Sequence, residues 1–222
     1  MDDRMRVSDY FDDVYSNHDR YWWQEPGRYN LEPDAYPRSL LTQLTLRLLS
    51  RRPKGRALDL GAGEGSDAIR LALFGYDVDA VEVSAVAAEK IHAFAREVGA
   101  KVRVFATDIR DFRPDGLYDV VICNGVLHYV KDKAPVISLM QGVTNEGGMN
   151  VISLWSSYTP VPECHEIVPV YCDDEQGLVV GSYQGWTTEF IYFERNKAET
   201  AHSDLPDHRH SHLKLIATKP GA

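Results

Sequence analysis

Residues 56–65, Arg-Ala-Leu-Asp-Leu-Gly-Ala-Gly-Glu-Gly, constrain the fold more than any other stretch of this 222-residue chain. An apolar run of strand length ends at Leu60, and the loop that follows has glycine at alternate positions. A helical pattern over residues 66–74 comes next and ends at Gly75. Glycine lets a ligand lie against the main chain at a helix N-terminus. The stretch therefore predicts a strand, a tight turn and a helix that bind a nucleotide cofactor.

The spacing of the glycines indicates which cofactor the loop holds. A dinucleotide-binding loop has its third glycine three residues after the second, and Ser66 stands at that position. Asp59 would repel a diphosphate and suits a positively charged cofactor. S-adenosylmethionine (SAM) has a sulfonium and an ammonium group, so we expect SAM to bind at Asp59, Gly61, Ala62 and Gly63. The alternative is a purely structural turn. The loop resembles that of class I SAM-dependent methyltransferases.

Length and composition restrict the class of protein and its partners. The length suits one α/β domain with a substantial core. A net charge of −9 and a pI near 5.3 argue against binding to nucleic acid, so a small-molecule acceptor is expected. Three cysteines without metal-type spacing suggest free thiols in a reducing compartment. With no signal region or membrane-length apolar run, we expect a cytoplasmic protein, monomer or homodimer, without a membrane partner.

The second predicted strand, residues 78–82, supplies another cofactor contact. Glu82 ends this strand 23 residues after Asp59, where a carboxylate can accept both ribose hydroxyls of a nucleotide. Val83 follows it and is expected to contact the cofactor. The alternative for Glu82 is a solvent-exposed acid at a strand end. Ser84 then caps a predicted helix that runs to residue 98.

The third and fourth predicted strands, residues 102–106 and 118–123, end near the same crevice. By resemblance to the methyltransferases, Asp108 binds the adenine amino group and Ile109 packs near the ring; the alternative for Asp108 is a turn carboxylate. Asn124 follows the fourth strand, where the chain lines the gap between cofactor and acceptor, and is expected to bind the cofactor.

The segment after Asn124 contains His128 and Tyr129. An imidazole titrates near neutral pH, so His128 is a candidate general base. The alternative is a hydrogen-bonded histidine beneath the next helix. Tyr129 is expected to contact the acceptor. Asp132 is predicted to cap the helix that ends near residue 142, and residues 149–155 form the fifth predicted strand.

Residues 1–38 are rich in aromatic side chains, and we divide the chain into this segment and a SAM-binding domain at residues 39–222. Residues 8–17 are predicted to form a helix capped by Ser8, and residues 24–38 a loop. A second amphipathic helix follows, with leucines at helical spacing over residues 40–48. The aromatic residues expected to bind the acceptor are Tyr15, Tyr21, Trp22 and Trp23. They either form a lid over the substrate or pack in the core.

The C-terminal part combines an irregular insertion with a hairpin. Residues 156–185 lack periodicity, and a loop this long is usually functional, so His165 within it is a candidate acceptor contact. Residues 186–195 and 208–219 read as two antiparallel strands. His202, in their connection, is a second candidate base. Three further histidines alternate on the last strand and share one face: His208, His210 and His212. Strand neighbours at this spacing rarely converge on a metal without another ligand, so these imidazoles are expected to be substrate-facing or solvated, and no metal is expected.

Several short matches resemble the tellurite-resistance methyltransferase family. They include Tyr10-Phe11, Leu58-Asp59-Leu60-Gly61, Pro162-Glu163-Cys164, Tyr183-Gln184-Gly185-Trp186 and Ala217-Thr218-Lys219. The resemblance implies an α/β fold: a Rossmann-like, seven-stranded, mostly parallel sheet with helices on both faces and a C-terminal antiparallel hairpin. It also implies methyl transfer from SAM to a small chalcogen compound, with a His-Arg pair near the substrate. In this chain His202 is followed by Ser203, and the N-terminal segment is longer and rich in tryptophan.

The function predicted from the sequence is SAM-dependent methyl transfer to a small organic molecule. The alternatives are methylation of a chalcogen oxyanion such as tellurite or selenite, a non-catalytic SAM-binding module, and a nicotinamide-dependent oxidoreductase. The last has an imperfect dinucleotide fingerprint and no Tyr-x-x-x-Lys pattern to support it. In-line transfer mainly requires alignment, with a base needed only when the nucleophile is protonated.

Overall fold

A computed structural model describes residues 3–21, 40–165, 167–199 and 205–221. Within these ranges the helices are α1 (Asp3–Ser16), α2 (Leu40–Leu49), α3 (Ser66–Leu73), α4 (Ala85–Glu97), α5 (Ala134–Gly142) and α6 (Leu178–Ser182). The strands are β1 (Arg56–Leu60), β2 (Asp77–Glu82), β3 (Val102–Ala106), β4 (Tyr118–Asn124), β5 (Thr144–Trp155), β6 (Thr187–Glu199) and β7 (His208–Thr218). Two short 3-10 turns lie at Leu127–Tyr129 and Glu163–His165.

The seven strands form one sheet in the order β3-β2-β1-β4-β5-β7-β6. Strands β1 to β5 pair in parallel, whereas β7 is antiparallel to both β5 and β6. The predicted fold, with its terminal antiparallel hairpin, is therefore confirmed. The strand order reverses between β1 and β4, and ligands of open α/β sheets bind outside the carboxyl ends of the strands at such a reversal.

Helices cover both faces of the sheet, as predicted. On one face α5 and α6 contribute Ile137, Met140 and Val179 to a core cluster that includes β4 and β5. On the other face α2, α3 and α4 contribute Leu49, Leu71 and Ile91 to a second cluster. Strands buried on both faces carry continuous apolar runs rather than alternation. This is why β4 reads Val-Val-Ile-Cys.

Some boundaries differ from those predicted. Helix α1 begins at Asp3 rather than at residue 8, and β6 continues to Glu199. The register of β6 against β7 shifts twice, which breaks the alternation that sequence patterns depend on. The predicted Asp132 cap is wrong: α5 begins at Ala134 after Lys133 and has no side-chain cap. A proline in its first turn, Pro135, favours the helical start instead.

Among the described residues, no helix combines the length and the apolar composition of a membrane span.

Candidate cofactor and acceptor site

The glycine loop turns sharply over the end of β2. The main-chain NH groups of Gly61 and Ala62 both donate to the carbonyl of Val81, at 2.8 and 3.0 Å. Gly61 and Gly63 have φ angles of 75° and 56°, in the left-handed region that favours glycine. A Cβ on Gly61 would lie 2.3 Å from Val126 Cγ2. The loop therefore lies directly against the segment that follows β4.

Glu82 holds the loop from the end of β2. Its Oε2 accepts a hydrogen bond from the NH of Gly63 at 2.7 Å, and its Oε1 accepts one from the NH of Ser84 at 2.9 Å. The residue is 5% exposed, so the alternative of a solvent-exposed acid is wrong. Burial raises the pKa of Glu82, and these main-chain donors oppose that shift. The NH of Val83 also approaches the carboxylate, so three of its roughly four lone-pair positions are engaged and one is left for a ribose hydroxyl.

Asp59 is a buried carboxylate beneath the loop. It is 2% exposed, and among the described residues its Oδ2 atom has no hydrogen-bond partner. Burial raises the pKa of Asp59 well above its ordinary value, and the nearby carboxylates of Asp67 and Glu82 raise it further. A cluster of three acids with an unpartnered buried oxygen fits the positively charged groups of SAM.

We expect Asp59→Asn to weaken SAM binding and to stabilise the SAM-free protein at pH 7. Loss of a hydrogen bond to a charged group costs about 1.5–3 kcal/mol, roughly a 10- to 150-fold loss of affinity. Because the folded-state pKa of Asp59 is raised, its contribution to stability is full below the unfolded pKa. That contribution is lost as pH rises through the folded value. Titration calorimetry with SAM and thermal denaturation from pH 5 to pH 8 measure both effects.

The gain in melting temperature of Asp59→Asn should therefore shrink as the pH falls. A variant that is less stable than the wild type at pH 7, or that binds SAM with wild-type affinity, would contradict the role given to Asp59.

Asp67 is a site residue that the sequence interpretation missed. It lies in the first turn of α3, where a carboxylate is favoured by the helix dipole, and this position was the available signal. Its Oδ1 accepts a hydrogen bond from Thr42 Oγ1 at 2.8 Å, and its Oδ2 accepts one from Asn124 Nδ2 at 2.9 Å. Asp67 thereby links α2 and α3 to the end of β4, and the amide nitrogen of Asn124 is already engaged.

Asp108 and Ile109 follow β3 at the same edge of the sheet. Both carboxylate oxygens of Asp108 accept hydrogen bonds from the Arg110 side chain, at 2.8 and 2.5 Å. The main-chain NH of Arg110 also donates to Oδ1 at 2.8 Å. An adenine amino group would have to share this carboxylate, while Ile109 is buried beside it. The adenine contact stays a prediction.

His128 lies in the 3-10 turn after β4 and is 3% exposed. Its ring stacks on Trp155, with 4.9 Å between ring centroids and an interplanar angle of 8°. Burial lowers the pKa of His128 well below its ordinary value, so the imidazole is neutral near pH 7. Among the described residues, no group hydrogen-bonds to Nδ1. Trp155, at the end of β5, was not singled out from the sequence.

Helix α1 brings aromatic residues over the same edge. Phe11 packs edge-on against Tyr129 with 5.3 Å between centroids. Tyr15 is 3% exposed and lies between Phe11 and Tyr21, at centroid distances of 5.8 and 6.1 Å. Tyr15 thus packs in the core of this aromatic group, whereas Tyr129 keeps part of its surface exposed.

Three predicted site residues, Trp22, Trp23 and His202, lie outside the described residues.

The C-terminal histidines gather on the acceptor side. His165 and His210 contact the Trp155 ring, at centroid distances of 4.7 and 4.6 Å. His208, His210 and His212 share one face of β7, as their spacing predicted, with neighbouring rings 5.2 and 4.5 Å apart. Their side chains are 3%, 6% and 15% exposed, so the alternative of solvated imidazoles is wrong.

Comparison with known proteins identifies a family and several relatives of this chain. A family model described as a methyltransferase domain matches residues 34–216. The chain is 30% identical over 134 residues to a ubiquinone biosynthesis O-methyltransferase of Rickettsia felis, covering 60% of this chain and 55% of the relative. It is 34% identical over 171 residues to hemagglutinin 1 of Eikenella corrodens, covering 75% and 55%. The chain thus spans about half the length of these relatives.

Two solved structures share the fold. TehB from Haemophilus influenzae superposes with a TM-score of 0.67 at 19% identity, covering 80% of this chain and 61% of TehB. Magnesium protoporphyrin IX methyltransferase from Synechocystis, with bound SAM, gives a TM-score of 0.66 at 19% identity over 99% and 98% of the two chains. Because the family model covers most of the sequence and the described fold agrees with it, the chain belongs to the methyltransferase domain family, with SAM as the cofactor that the glycine loop predicts.

Proposed function

We propose that this methyltransferase transfers the methyl group of SAM to an oxygen atom of a small organic molecule that carries an aromatic or apolar part. The observation that carries the proposal is the group of aromatic rings next to the glycine loop. Phe11 packs edge-on against Tyr129, the Tyr129 ring lies 4.2 Å from that of His128, and His128 stacks on Trp155. An oxyanion needs few donors and little apolar surface, whereas flat organic molecules are bound by aromatic side chains.

Oxygen is proposed as the accepting atom on two grounds. Several curated relatives are named O-methyltransferases, including the one from Rickettsia felis. A hydroxyl group must also lose its proton on methylation. His128 offers a neutral imidazole at the edge of the sheet where the parallel strands have their carboxyl ends.

The residues of the chain divide the work between alignment and proton removal. Bound SAM supplies an electrophilic methyl group on a sulfonium. The glycine loop and Asp59 would orient the positively charged end of the cofactor, Glu82 would hold the ribose, and Asp108 and Ile109 would hold the adenine. His128 Nδ1 would accept the proton that the acceptor hydroxyl loses when its oxygen takes the methyl group.

Helix α1 is proposed to act as a lid over the acceptor. Its docking depends on Asp12, whose Oδ1 accepts hydrogen bonds from Ser84 Oγ at 2.5 Å and from the NH of Val86 at 3.3 Å. These contacts attach α1 to the start of α4, beside Glu82. Ser84 itself caps α4 by accepting a hydrogen bond from the NH of Ala87. Opening of α1 for the acceptor would release these polar contacts together with the packing of Phe11 and Tyr15, and closing would exclude water.

We expect Asp12→Ala to raise the KM for the acceptor and to speed proteolytic cleavage of α1. Two hydrogen bonds to a charged group are lost, and each is worth about 1.5–3 kcal/mol. Steady-state kinetics and limited proteolysis measure the two effects. Asp9→Ala serves as the control, because Asp9 lies on the exposed side of the same helix. Wild-type KM and cleavage rate in Asp12→Ala would contradict the lid.

A panel of acceptors with isotope-labelled SAM tests the function itself. The panel contains phenols and other hydroxylated aromatic compounds, matched amines and thiols, and tellurite and selenite. We expect methyl ethers of hydroxylated aromatic acceptors, identified by mass spectrometry. Efficient methylation of tellurite or selenite, with no turnover of organic acceptors, would favour the chalcogen alternative that the sequence resemblance implies. SAM binding without turnover of any acceptor would favour a non-catalytic module.

A further inference from the structure

A group of potential metal ligands lies on the acceptor side of Trp155, and the methyl transfer proposed above does not use it. Its members are His165, His208, His210 and Glu199, here called the imidazole cluster. The ligand atoms of Glu199, His208 and His210 all lie within 4.8 Å of one another. His165 Nε2 lies 3.1 Å from His208 Nε2. The sequence argument against a metal was the lack of a further ligand, and the fold brings two such residues to the histidines of β7.

The orientation of His208 suits a metal ligand. Its Nδ1 lies 2.8 Å from the carbonyl oxygen of Pro206. A carbonyl only accepts, so Nδ1 carries the proton and Nε2 has a lone pair in the neutral ring. Histidines that bind metals commonly donate their other ring NH to a carbonyl or carboxylate in this way. The lone pair of Nε2 points toward the other members of the imidazole cluster.

The contact between His210 and Glu199 has an unusual geometry. His210 Nε2 lies 3.0 Å from Glu199 Oε1, yet among the described residues neither ring nitrogen of His210 makes a hydrogen bond of acceptable geometry. Two ligand atoms of one ion lie about 3 Å apart and point at the ion rather than at each other. Glu199 Oε2 lies 3.9 Å from His208 Nε2, so the same carboxylate faces both rings.

Two of the three ring spacings match those around a tetrahedral zinc ion. With zinc–nitrogen bonds of about 2.0–2.1 Å, two ligand nitrogens lie about 3.3 Å apart and their ring centroids about 5 Å apart. The three imidazole centroids are separated by 4.7 Å between His165 and His208, 5.2 Å between His208 and His210, and 6.2 Å between His165 and His210. His208 thus lies near both other rings, whereas the separation between His165 and His210 is wider than the tetrahedral value.

Two neighbouring groups bear on the charge and donor count of this cluster. Lys197 Nζ lies 3.3 Å from Glu199 Oε1 and is 42% exposed, so it approaches the carboxylate from the solvent side. A carboxylate has about four lone-pair positions and can serve Lys197 and an ion together. Cys164 Sγ lies within 4.8 Å of the ligand nitrogens of His165 and His208, which adds a softer donor at the same end.

We propose that one Zn²⁺ ion binds to the imidazole cluster through His208, His210 and the carboxylate of Glu199, with His165 beside His208 at the fourth position. Imidazole nitrogens with one carboxylate oxygen are a donor set that zinc prefers. His212 of β7 pairs with Trp155, the last residue of the antiparallel neighbour β5. The first residues of β7, His208 and His210, therefore lie at the carboxyl end of β5, at the same edge of the sheet as the glycine loop. This proposal does not depend on which acceptor is methylated.

Zinc binding by the full chain tests this proposal directly. The protein is prepared without a histidine affinity tag, treated with EDTA, dialysed and titrated with ZnCl₂ by calorimetry in the absence of SAM. We expect one Zn²⁺ per chain. His208→Ala and Glu199→Gln should each weaken binding by about 100-fold or more, at least the loss that follows removal of an outer-shell partner. His92→Ala is the control, because His92 is exposed on α4.

SAM affinity separates loss of a ligand from loss of the fold. No residue of the imidazole cluster belongs to the glycine loop. His208→Ala and Glu199→Gln should therefore bind SAM like the wild type. If His208→Ala loses SAM binding, its fold is disturbed, and the zinc affinity of the volume-conserving Glu199→Gln variant then tests the proposal. No zinc binding by the wild type would overturn the proposal, and so would equal zinc affinity in the wild type and Glu199→Gln. Zinc affinity is measured without SAM or an acceptor, so failure of every acceptor in the methylation panel would not change it.

Discussion

Gly61→Ala is expected to reduce SAM affinity by about 100-fold or more, because the new methyl group has no room in the loop. The added Cβ would lie 2.3 Å from Val126 Cγ2 and 2.9 Å from Cγ1, so either the loop or the segment after β4 must move. The φ angle of 75° adds a backbone penalty of about 1–2 kcal/mol for a residue with a side chain. Both effects displace the main chain on which the cofactor lies. Calorimetric titration with SAM measures the loss.

Gly99→Ala is the matched control for Gly61→Ala. Gly99 has a φ angle of 70°, and a Cβ there would meet nothing within 4 Å. It ends α4 at the opposite edge of the sheet from the cofactor, so it carries the backbone penalty without the steric conflict. We expect Gly99→Ala to lower the melting temperature and leave SAM affinity unchanged. Equal SAM affinities in the two variants would show that the close contact between Gly61 and Val126 is unimportant for binding.

His128→Phe is expected to reduce turnover by about 10²–10⁴-fold, the usual contribution of a positioned acid or base. Phenylalanine keeps an aromatic ring to stack on Trp155 but has no nitrogen. The buried Nδ1 atom, which has no partner among the described residues, is the group that the variant removes. Val126, and not His128, contacts the glycine loop, so SAM affinity should be retained. Single-turnover kinetics with a hydroxylated aromatic acceptor and calorimetry with SAM provide the measurement.

A second substitution separates proton removal from packing. His128→Ala removes both the nitrogen and the stacked ring, so it should lower the melting temperature more than His128→Phe while reducing turnover to a similar extent. His92→Ala, at an exposed histidine of α4, should change neither property. Wild-type turnover in His128→Phe would mean that alignment alone drives methyl transfer. A parallel loss of SAM affinity and turnover would instead give His128 a structural role.

The glycine loop and the strand and helix beside it were predictable from sequence because local chain geometry determines them. An apolar strand, alternate glycines and a helix form a single continuous unit, and the positions of Asp59 and Gly61 follow from that unit alone. The third strand, residues 102–106, was predicted with the observed boundaries. The parallel sheet and its terminal hairpin also follow from the alternation of strand and helix patterns. Short-range periodicity carries this information because each element buries a face set by its own residues.

Contacts between elements far apart in the chain decided the rest of the site. Asp12 reaches Ser84, Asp67 joins Thr42 to Asn124, and no periodic pattern reports such pairings.

The same is true of the imidazole cluster. The alternation of histidines on β7 was visible in the sequence and indicated one shared face. Glu199 lies beside these histidines because of the irregular register of the edge strand β6 against β7. His165 reaches them from the insertion between β5 and β6. The sequence therefore determined the cofactor and the fold, because both depend on local geometry and burial. The tertiary structure alone decided which buried polar groups meet on the acceptor side, because the packing of distant segments brings them together.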